Sequence, residues 1–375
     1  MREIYFSKKL EEYFSGIQVS GKLGFFPKGF SFVSISDIKR LNGSNEVYSF
    51  RLTYRNKGCE QRINLVLKAY VRDLEPVLKT RANCGSFSSL SRTCPQLYYG
   101  NTKICVKEFQ VLRGLERVGF PVPKAYLCEL DSNVLGNPFI IMQEEQLTQN
   151  DSERIELFAK NLARLHSLDV TTLGINALKA PEDTGAFARR CLLYFKILLN
   201  LSSKHNKTLK NDFEFAIRWL ESNVSNITCS KYCLLHGDYR AHLNTILTKD
   251  SRMVVLDWET AEIGDPAYDV GYAYARIRSE SGEETADRFV KEYVRYFDGD
   301  LAERLLFFKL VGYLRPAIIH SSILSNPLTA YEIRGTKAFF LFPFLHLPFI
   351  AKMTGADHDV VLVECFEEFV RKNLS

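Results

Sequence analysis

The sequence has nine cysteines but no CxxC pair. They stand at irregular positions (59, 84, 94, 105, 128, 191, 229, 233 and 365), which excludes zinc-ribbon and thioredoxin-like frameworks. Cys229 and Cys233 lack the matching second half that a metal site needs, and Cys84 and Cys94 could close a loop. An odd count of scattered cysteines reads as reduced thiols, many buried like small hydrophobes, and points to a cytoplasmic setting. There is no GxGxxG loop and no P-loop. No apolar run is long enough for a membrane span: "AFFLFPFLHLPFIA" (338–351) is interrupted by Pro343, His346 and Pro348, and reads as a buried segment or pocket wall. The N-terminal "MREIYFSKKLEEYF" has no signal core. Neither sign of charge dominates: 49 Lys and Arg against 44 Asp and Glu leave +5. That small, dispersed excess excludes a dedicated nucleic-acid surface and mildly favours anionic small molecules.

What is present is ordinary globular usage, with 46% hydrophobic and 25% charged residues in 375, enough for one large domain or two lobes. "EVYSFRLTY" (46–54) and "EQRINLVLKAYV" (60–71) are rich in β-branched and aromatic residues. "RNKG" separates them, with Gly58 free to take positive φ, so the pair predicts a hairpin. Residues 74–100 are rich in Ser, Arg, Gly and Pro and read as an inserted loop. In "TKICVKEFQVLRGLERVG" the residues Ile104, Val111, Leu112, Leu115 and Val118 recur at helical spacing, and Gly119 ends the helix. "NPFIIMQEE" (137–145) reads as a buried strand. Beyond about residue 150 the chain turns helical, with amphipathic segments in "SERIELFAKNLARLHSLD", "NDFEFAIRWLESNV", "ADRFVKEYVRYF" and "AERLLFFKLVGYL". The expectation is an α+β, two-lobed chain. Residues 1–143 would form a small antiparallel β-sheet lobe with one key helix, and 144–375 a larger, mainly helical lobe.

Two charged residues sit where apolar ones belong. Glu108 lies on the apolar face of its helix, four residues from Ile104 and from Leu112. Lys68 follows "NLVL" inside an apolar strand. A glutamate snorkelling to water and an edge-strand lysine would each be ordinary, but as a pair each explains the other. A lysine fixed by a glutamate presents a cation that can clamp nucleotide phosphates. Before the hairpin, Gly43, Ser44 and Asn45 could form a tight turn whose backbone N–H groups face phosphate oxygens, although such triplets are mostly plain turns. Further on, "LLHGDYRAHLNTIL" (234–247) crowds polar side chains between apolar runs, and Asp257 stands where the short strand "MVVL" ends. Phosphotransferase chemistry needs this set: Asp238 to orient or deprotonate a hydroxyl, and Asn244 with Asp257 to hold Mg²⁺ against a triphosphate.

At these residues the chain resembles the aminoglycoside phosphotransferase and choline kinase-like family, which has the two-lobed protein-kinase-like fold. "NGSNEVYSF", "VLK" (66–68), "KEFQVLRGLERVGFPVP", "LARLHSLD" (162–169), "HGD" (236–238) and "LDWETAEIGDPAYDVGY" (256–272) carry the resemblance. It implies ATP or GTP as donor, Mg²⁺, and a small-molecule hydroxyl as acceptor. It further implies Asp238 as the catalytic aspartate, Asn244 and Asp257 as metal ligands, and Lys68 on the phosphates held by Glu108. Gln143 and Glu144 fall where the hinge meets the nucleotide base, and Asp265 and Asp269 brace the catalytic loop. The family pattern places four residues between the aspartate and the asparagine; here there are five, so His242 competes with Asn244 for the metal. That departure keeps open an alternative, a nucleotide-binding pseudokinase acting as sensor or scaffold. The absence of "DFG" and "APE" segments ranks a protein kinase last. Candidate acceptor-wall residues are Tyr272, Arg276 and Arg278, with Arg315 and His320 behind them. The arginines would suit an anionic acceptor if they are not spent on surface ion pairs, and Glu280, Glu283 and Glu284 would suit a cationic one.

Overall fold

The computed structural model describes residues 2–20, 30–41, 45–70, 101–146, 154–203 and 207–324. Strand β2 (Glu46–Asn56) turns into β3 (Cys59–Ala69) through Lys57 (φ 49°) and Gly58 (φ 84°). Two successive positive φ angles suit a tight hairpin, because that turn matches the right-handed twist of the strands. The two strands belong to a five-stranded antiparallel sheet, order β1-β2-β3-β5-β4, completed by β1 (Phe30–Leu41), β4 (Ala125–Glu129) and β5 (Phe139–Gln143). Lys68 pairs with Val47 on β2 and with Ile140 on β5, so it lies on a central strand and not at an edge.

Alternation along the strands decides what each face carries. Leu65, Leu67, Tyr48, Phe50, Phe139 and Ile141 form one buried cluster with Phe6, Leu10 and Phe14 of helix α1 (Arg2–Ser20). Lys68 and Ile140 are on the other face, where α2 (Asn101–Arg117) lies and Ile140 joins the larger core. The helix ends at Gly119 (φ 69°), and the Phe120 N–H donates to the Leu115 carbonyl at 2.9 Å.

The larger core runs on through α3 (Arg154–His166), α4 (Ala186–Ser203), α5 (Lys207–Asn223), α6 (Pro266–Ser281), α7 (Glu283–Tyr296) and α8 (Ala302–Leu324). Two short antiparallel pairs sit among these helices: β6 (Cys233–Leu235) with β9 (Glu262–Gly264), and β7 (Thr245–Leu247) with β8 (Met253–Val255). The loops that lead from one pair to the other, 236–244 from β6 to β7 and 256–261 from β8 to β9, carry the polar residues singled out in the sequence. The strand-rich and helix-rich halves give the expected α+β, protein-kinase-like architecture. Among the described residues no helix is long and apolar enough to cross a membrane, and the six described cysteines are free thiols. Residues Gly43 and Ser44, the segments 74–100 and 338–348, and the side chain of His320 lie outside the described residues.

Candidate active site

Lys68 is 6% exposed and Glu108 1%, so burial would be expensive for each alone. They meet at 2.9 Å, and Glu108 also accepts from the Tyr70 hydroxyl at 2.6 Å and the Trp258 N–H at 3.1 Å. The far side of the ammonium is taken by Asp257 at 2.5 Å and Glu259 at 3.1 Å. Burial pushes the lysine's pKa down, but Asp257, Glu108 and Glu259 together hold it well above the usual value. Burial raises the Asp257 carboxyl, and the charge and hydrogen bond of Lys68 outweigh that and bring it below the usual carboxylate value. Glu108 moves upward, through burial and the nearby carboxylates, with Lys68 opposing. Asp257 takes φ 63° and ψ 63°, a left-handed conformation that Asp tolerates better than bulky residues, and from there its carboxylate reaches β3.

Glu259 is a site residue that sequence reasoning missed. It accepts from the Asn45 side-chain amide at 2.6 Å, so Asn45, just before β2, is tied to the Asp257 segment. Its sequence signal is weak: it is the second residue after Asp257, in a stretch with several acidic residues.

Asp238 sits in the 236–244 loop, with its carboxylate between three donors. The Tyr272 hydroxyl donates to Oδ1 at 2.5 Å, Arg240 to Oδ2 at 2.8 Å, and the Asn244 amide to Oδ2 at 3.1 Å and to the Asp238 carbonyl at 2.7 Å. The loop is pinned from below by Asp269, whose carboxylate accepts the His236 N–H at 2.7 Å, the Gly237 N–H at 2.9 Å and the His166 ring nitrogen at 3.3 Å. Asp265 caps α6 through the Ala267 N–H at 2.9 Å and pairs with Arg304 at 2.7 Å.

The extra residue between Asp238 and Asn244 is absorbed by a turn at 241–243. His242 and Leu243 are exposed there, while Asn244 is 3% exposed and points at Asp238. Arg154 secures the turn by donating its Nε to the Ala241 carbonyl at 2.9 Å, and the Leu256 N–H donates to the Asn244 carbonyl at 2.8 Å. The arrangement therefore brings Asn244, and not His242, to Asp238.

The remaining expected residues divide. Gln143 ends β5, and its N–H and that of Glu144 donate to the Lys124 and Asn64 carbonyls. Tyr272 and Arg276, one turn apart on α6, face Asp238, with Arg276 Nε 3.3 Å from the Tyr272 hydroxyl. Arg315 on α8 donates to the Gly237 carbonyl and, at 2.9 Å, to the Tyr268 hydroxyl. Arg278 is not brought to Asp238: its guanidinium pairs with Glu283 at 2.9 Å and approaches the Tyr313 hydroxyl, as its position half a turn round the helix requires.

The sheet, its partner helix and the paired aspartate loops have the layout of the protein-kinase-like fold. The chain belongs to the phosphotransferase enzyme family (APH), whose model matches residues 100–307. Among solved structures, one from Ralstonia eutropha assigned to the aminoglycoside phosphotransferases aligns with a TM-score of 0.56 at 19% identity, covering 92% of this chain and 96% of that one. A thermostable aminoglycoside phosphotransferase in a ternary complex with ADP and hygromycin B aligns with a TM-score of 0.57 at 14% identity, covering 92% and 98%. These structures speak for the fold. Curated relatives include an Arabidopsis thaliana probable acyl-CoA dehydrogenase, IBR3, 31% identical over 185 residues, and mouse acyl-CoA dehydrogenase family member 11, 29% identical over 179 residues. Each alignment covers 44% of this chain and 22% of the relative, so the chain matches about a fifth of their length.

Proposed function

We propose that this chain transfers the γ-phosphoryl group of a nucleoside triphosphate, ATP or GTP, to a hydroxyl of a small molecule. The observation that carries the proposal is the Lys68 ammonium held between Glu108 and Asp257, with Asp238 in the neighbouring loop. In this assignment Lys68 binds the nucleotide phosphates and Glu108 fixes its direction. Asp238 Oδ1, where the Tyr272 hydroxyl now donates, receives the acceptor's proton. The acceptor oxygen bonds to the γ-phosphorus, the bond from that phosphorus to the bridging oxygen breaks, and the nucleoside diphosphate leaves. Positioning and charge neutralisation supply most of the rate.

Hard oxygen donors fit a magnesium ion here: Glu108, Asp257 and Glu259 offer carboxylate oxygens within 4.8 Å of one another, with Asn244 in the adjoining loop. Asp257 and Asn244 would hold the ion, which neutralises phosphate charge when bound. The geometry supports Asn244 over His242 because the amide adjoins Asp238 while the imidazole is exposed. Gln143 and Glu144, at the end of β5, are the proposed contacts to the base, through backbone groups. Gly43, Ser44 and Asn45 are the proposed phosphate turn, with Asn45 also bonded to Glu259. The dehydrogenase activity in the relatives' names is not carried over, because the alignment covers so little of them.

The test is a screen of metabolite extracts for ATP- or GTP-dependent phosphorylation, with Asp238→Ala as control. Loss of a positioned base lowers turnover by about 100-fold or more. A variant within a few-fold of wild type would remove Asp238 from this role.

A further inference from the structure

Residues directly opposed across an antiparallel sheet put their side chains on one face. Lys68 stands opposite Ile140, and Ile140 opposite Cys128, so a single row across β3, β5 and β4 aims Lys68 and Cys128 at α2. On that helix Cys105 and Glu108 are about one turn apart, and both are buried. The row and the helix therefore meet twice. Lys68 meets Glu108 at 2.9 Å, and the Cys128 sulfur meets the Cys105 sulfur at 3.6 Å. The first contact belongs to the site already described. The second has no part in it.

Both thiols are free. Among the described residues the group of side chains able to hold a metal is Glu108, Asp257 and Glu259, so the two sulfurs read as a dithiol and not as part of a metal site. They need to approach by about 1.6 Å to bond, a distance that side-chain rotation covers. Cys105 is fully buried and Cys128 only partly so. The hydrogen bond from Cys105 brings the Cys128 thiol below its ordinary value, against burial and Glu129. Cys128 is therefore the sulfur a reagent reaches and the one more readily ionised. The geometry points to Cys105 and Cys128 as a reversible disulfide site, oxidised by a hydroperoxide, whose bridge fastens α2 to β4 beside the Lys68–Glu108 contact. With hydrogen peroxide, the Cys128 sulfur attacks one oxygen, an S–O bond forms, the O–O bond breaks, and the departing oxygen leaves as water with the proton Cys128 gave up. The Cys105 sulfur then attacks the Cys128 sulfur, the S–S bond forms, the S–O bond breaks, and the hydroxide takes the Cys105 proton to leave as a second water. Two electrons pass from the thiols to the peroxide. A small dithiol reverses the bridge by exchange. The bridge itself does not depend on the phosphotransferase reading; only its effect on nucleotide binding does.

The experiment treats the reduced full chain with hydrogen peroxide in small excess, alkylates the remaining thiols, and digests with trypsin without reduction. Mass spectrometry should find peptide 104–107 joined to peptide 125–154, and the joined species should vanish with dithiothreitol. Cys105→Ser and Cys128→Ser should each abolish it. Oxidation should raise the Tm of the wild type by about 3 °C or more, because the bridge restricts the unfolded chain, and should not raise that of Cys105→Ser. Since the sulfurs already touch across native packing, Glu108 stays on Lys68, and the oxidised protein should bind Mg-ATP within a few-fold of the reduced one. A bridge from either sulfur to a different cysteine would overturn the inference. So would Cys128 advancing to the sulfinic acid with no bridge formed. A bridge that lowered the Tm, or weakened Mg-ATP by about tenfold or more, would show that it forms only by pulling α2 from its place, and would overturn it too. Reduced wild-type protein that binds no Mg-ATP or Mg-GTP would count against the phosphotransferase reading, while a mapped 105–128 bridge would still stand.

Discussion

At the residue scale, the site depends on side chains whose surroundings leave little choice. Gly237 takes φ 81°, and a Cβ there would lie 2.4 Å from the Thr260 carbonyl oxygen. Gly237→Ala therefore combines left-handed strain with overpacking, and stability should fall by about 2–4 kcal/mol, read as a lower urea midpoint. Asp269 is fully buried under the same loop. Burial raises its carboxyl, and hydrogen bonding and charge at His166, with the His236 ring and N–H, bring it below the usual value. A depressed carboxyl contributes stability that is complete above the unfolded pKa, about 3.9, and is lost as pH falls through the folded one. Urea midpoints should therefore drop below about pH 4 in the wild type, and more shallowly in Asp269→Asn. A variant whose acid limb matched the wild type's would show that Asp269 does not set it. At neutral pH, Asp269→Ala should cost about 3–5 kcal/mol, the scale for breaking a buried charged network.

At the scale of elements, two helices hold the acceptor side in register. Gly271 on α6 and Gly312 on α8 meet where the helices cross: a Cβ at Gly271 would lie 2.4 Å from the Phe308 backbone, and one at Gly312 would lie 2.6 Å from the Gly271 carbonyl oxygen. Gly271→Ala should force α8 outward, carrying Arg315 from Tyr272. Expected are a stability loss of about 1–3 kcal/mol and a raised acceptor KM, measured by thermal melting and initial rates. A stable variant with unchanged acceptor KM would show that the crossing does not place Arg315. Elements with a strong internal pattern could be read from the chain. The β2–β3 hairpin declares itself through alternation and Gly58, α2 through its apolar spacing, and Lys68 and Glu108 through being charged where apolar residues belong. Strand β1 and helix α1 could not be read this way. Strand β1 alternates irregularly around register shifts, and α1 finds its reason only in the sheet face it covers. Glu259 was hidden for a related reason. Its meaning lies in a neighbour distant in sequence, Asn45.

At the scale of the whole molecule, the five-stranded sheet and the helical half share an apolar core through Ile140 and α2 and are also tied by polar contacts, Lys68 with Asp257 and Asn45 with Glu259 among them. A ligand binding across them should stabilise both halves together. Mg-nucleotide at about 100 times its Kd should add about 2.7 kcal/mol, seen as a rise in Tm that EDTA reverses. Asp257→Asn, which tolerates the same backbone conformation, should lose most of that rise. An equal shift in the variant would show that Asp257 does not hold the metal. The turn at 241–243 carries a wider implication. Because Arg154 clamps the backbone while His242 and Leu243 swing outward, the number of residues in this stretch is uncoupled from the position of the amide beyond it. Chains of this kind can gain or lose a residue there across evolution and keep a working constellation, so a fixed-gap pattern search would pass over functional members.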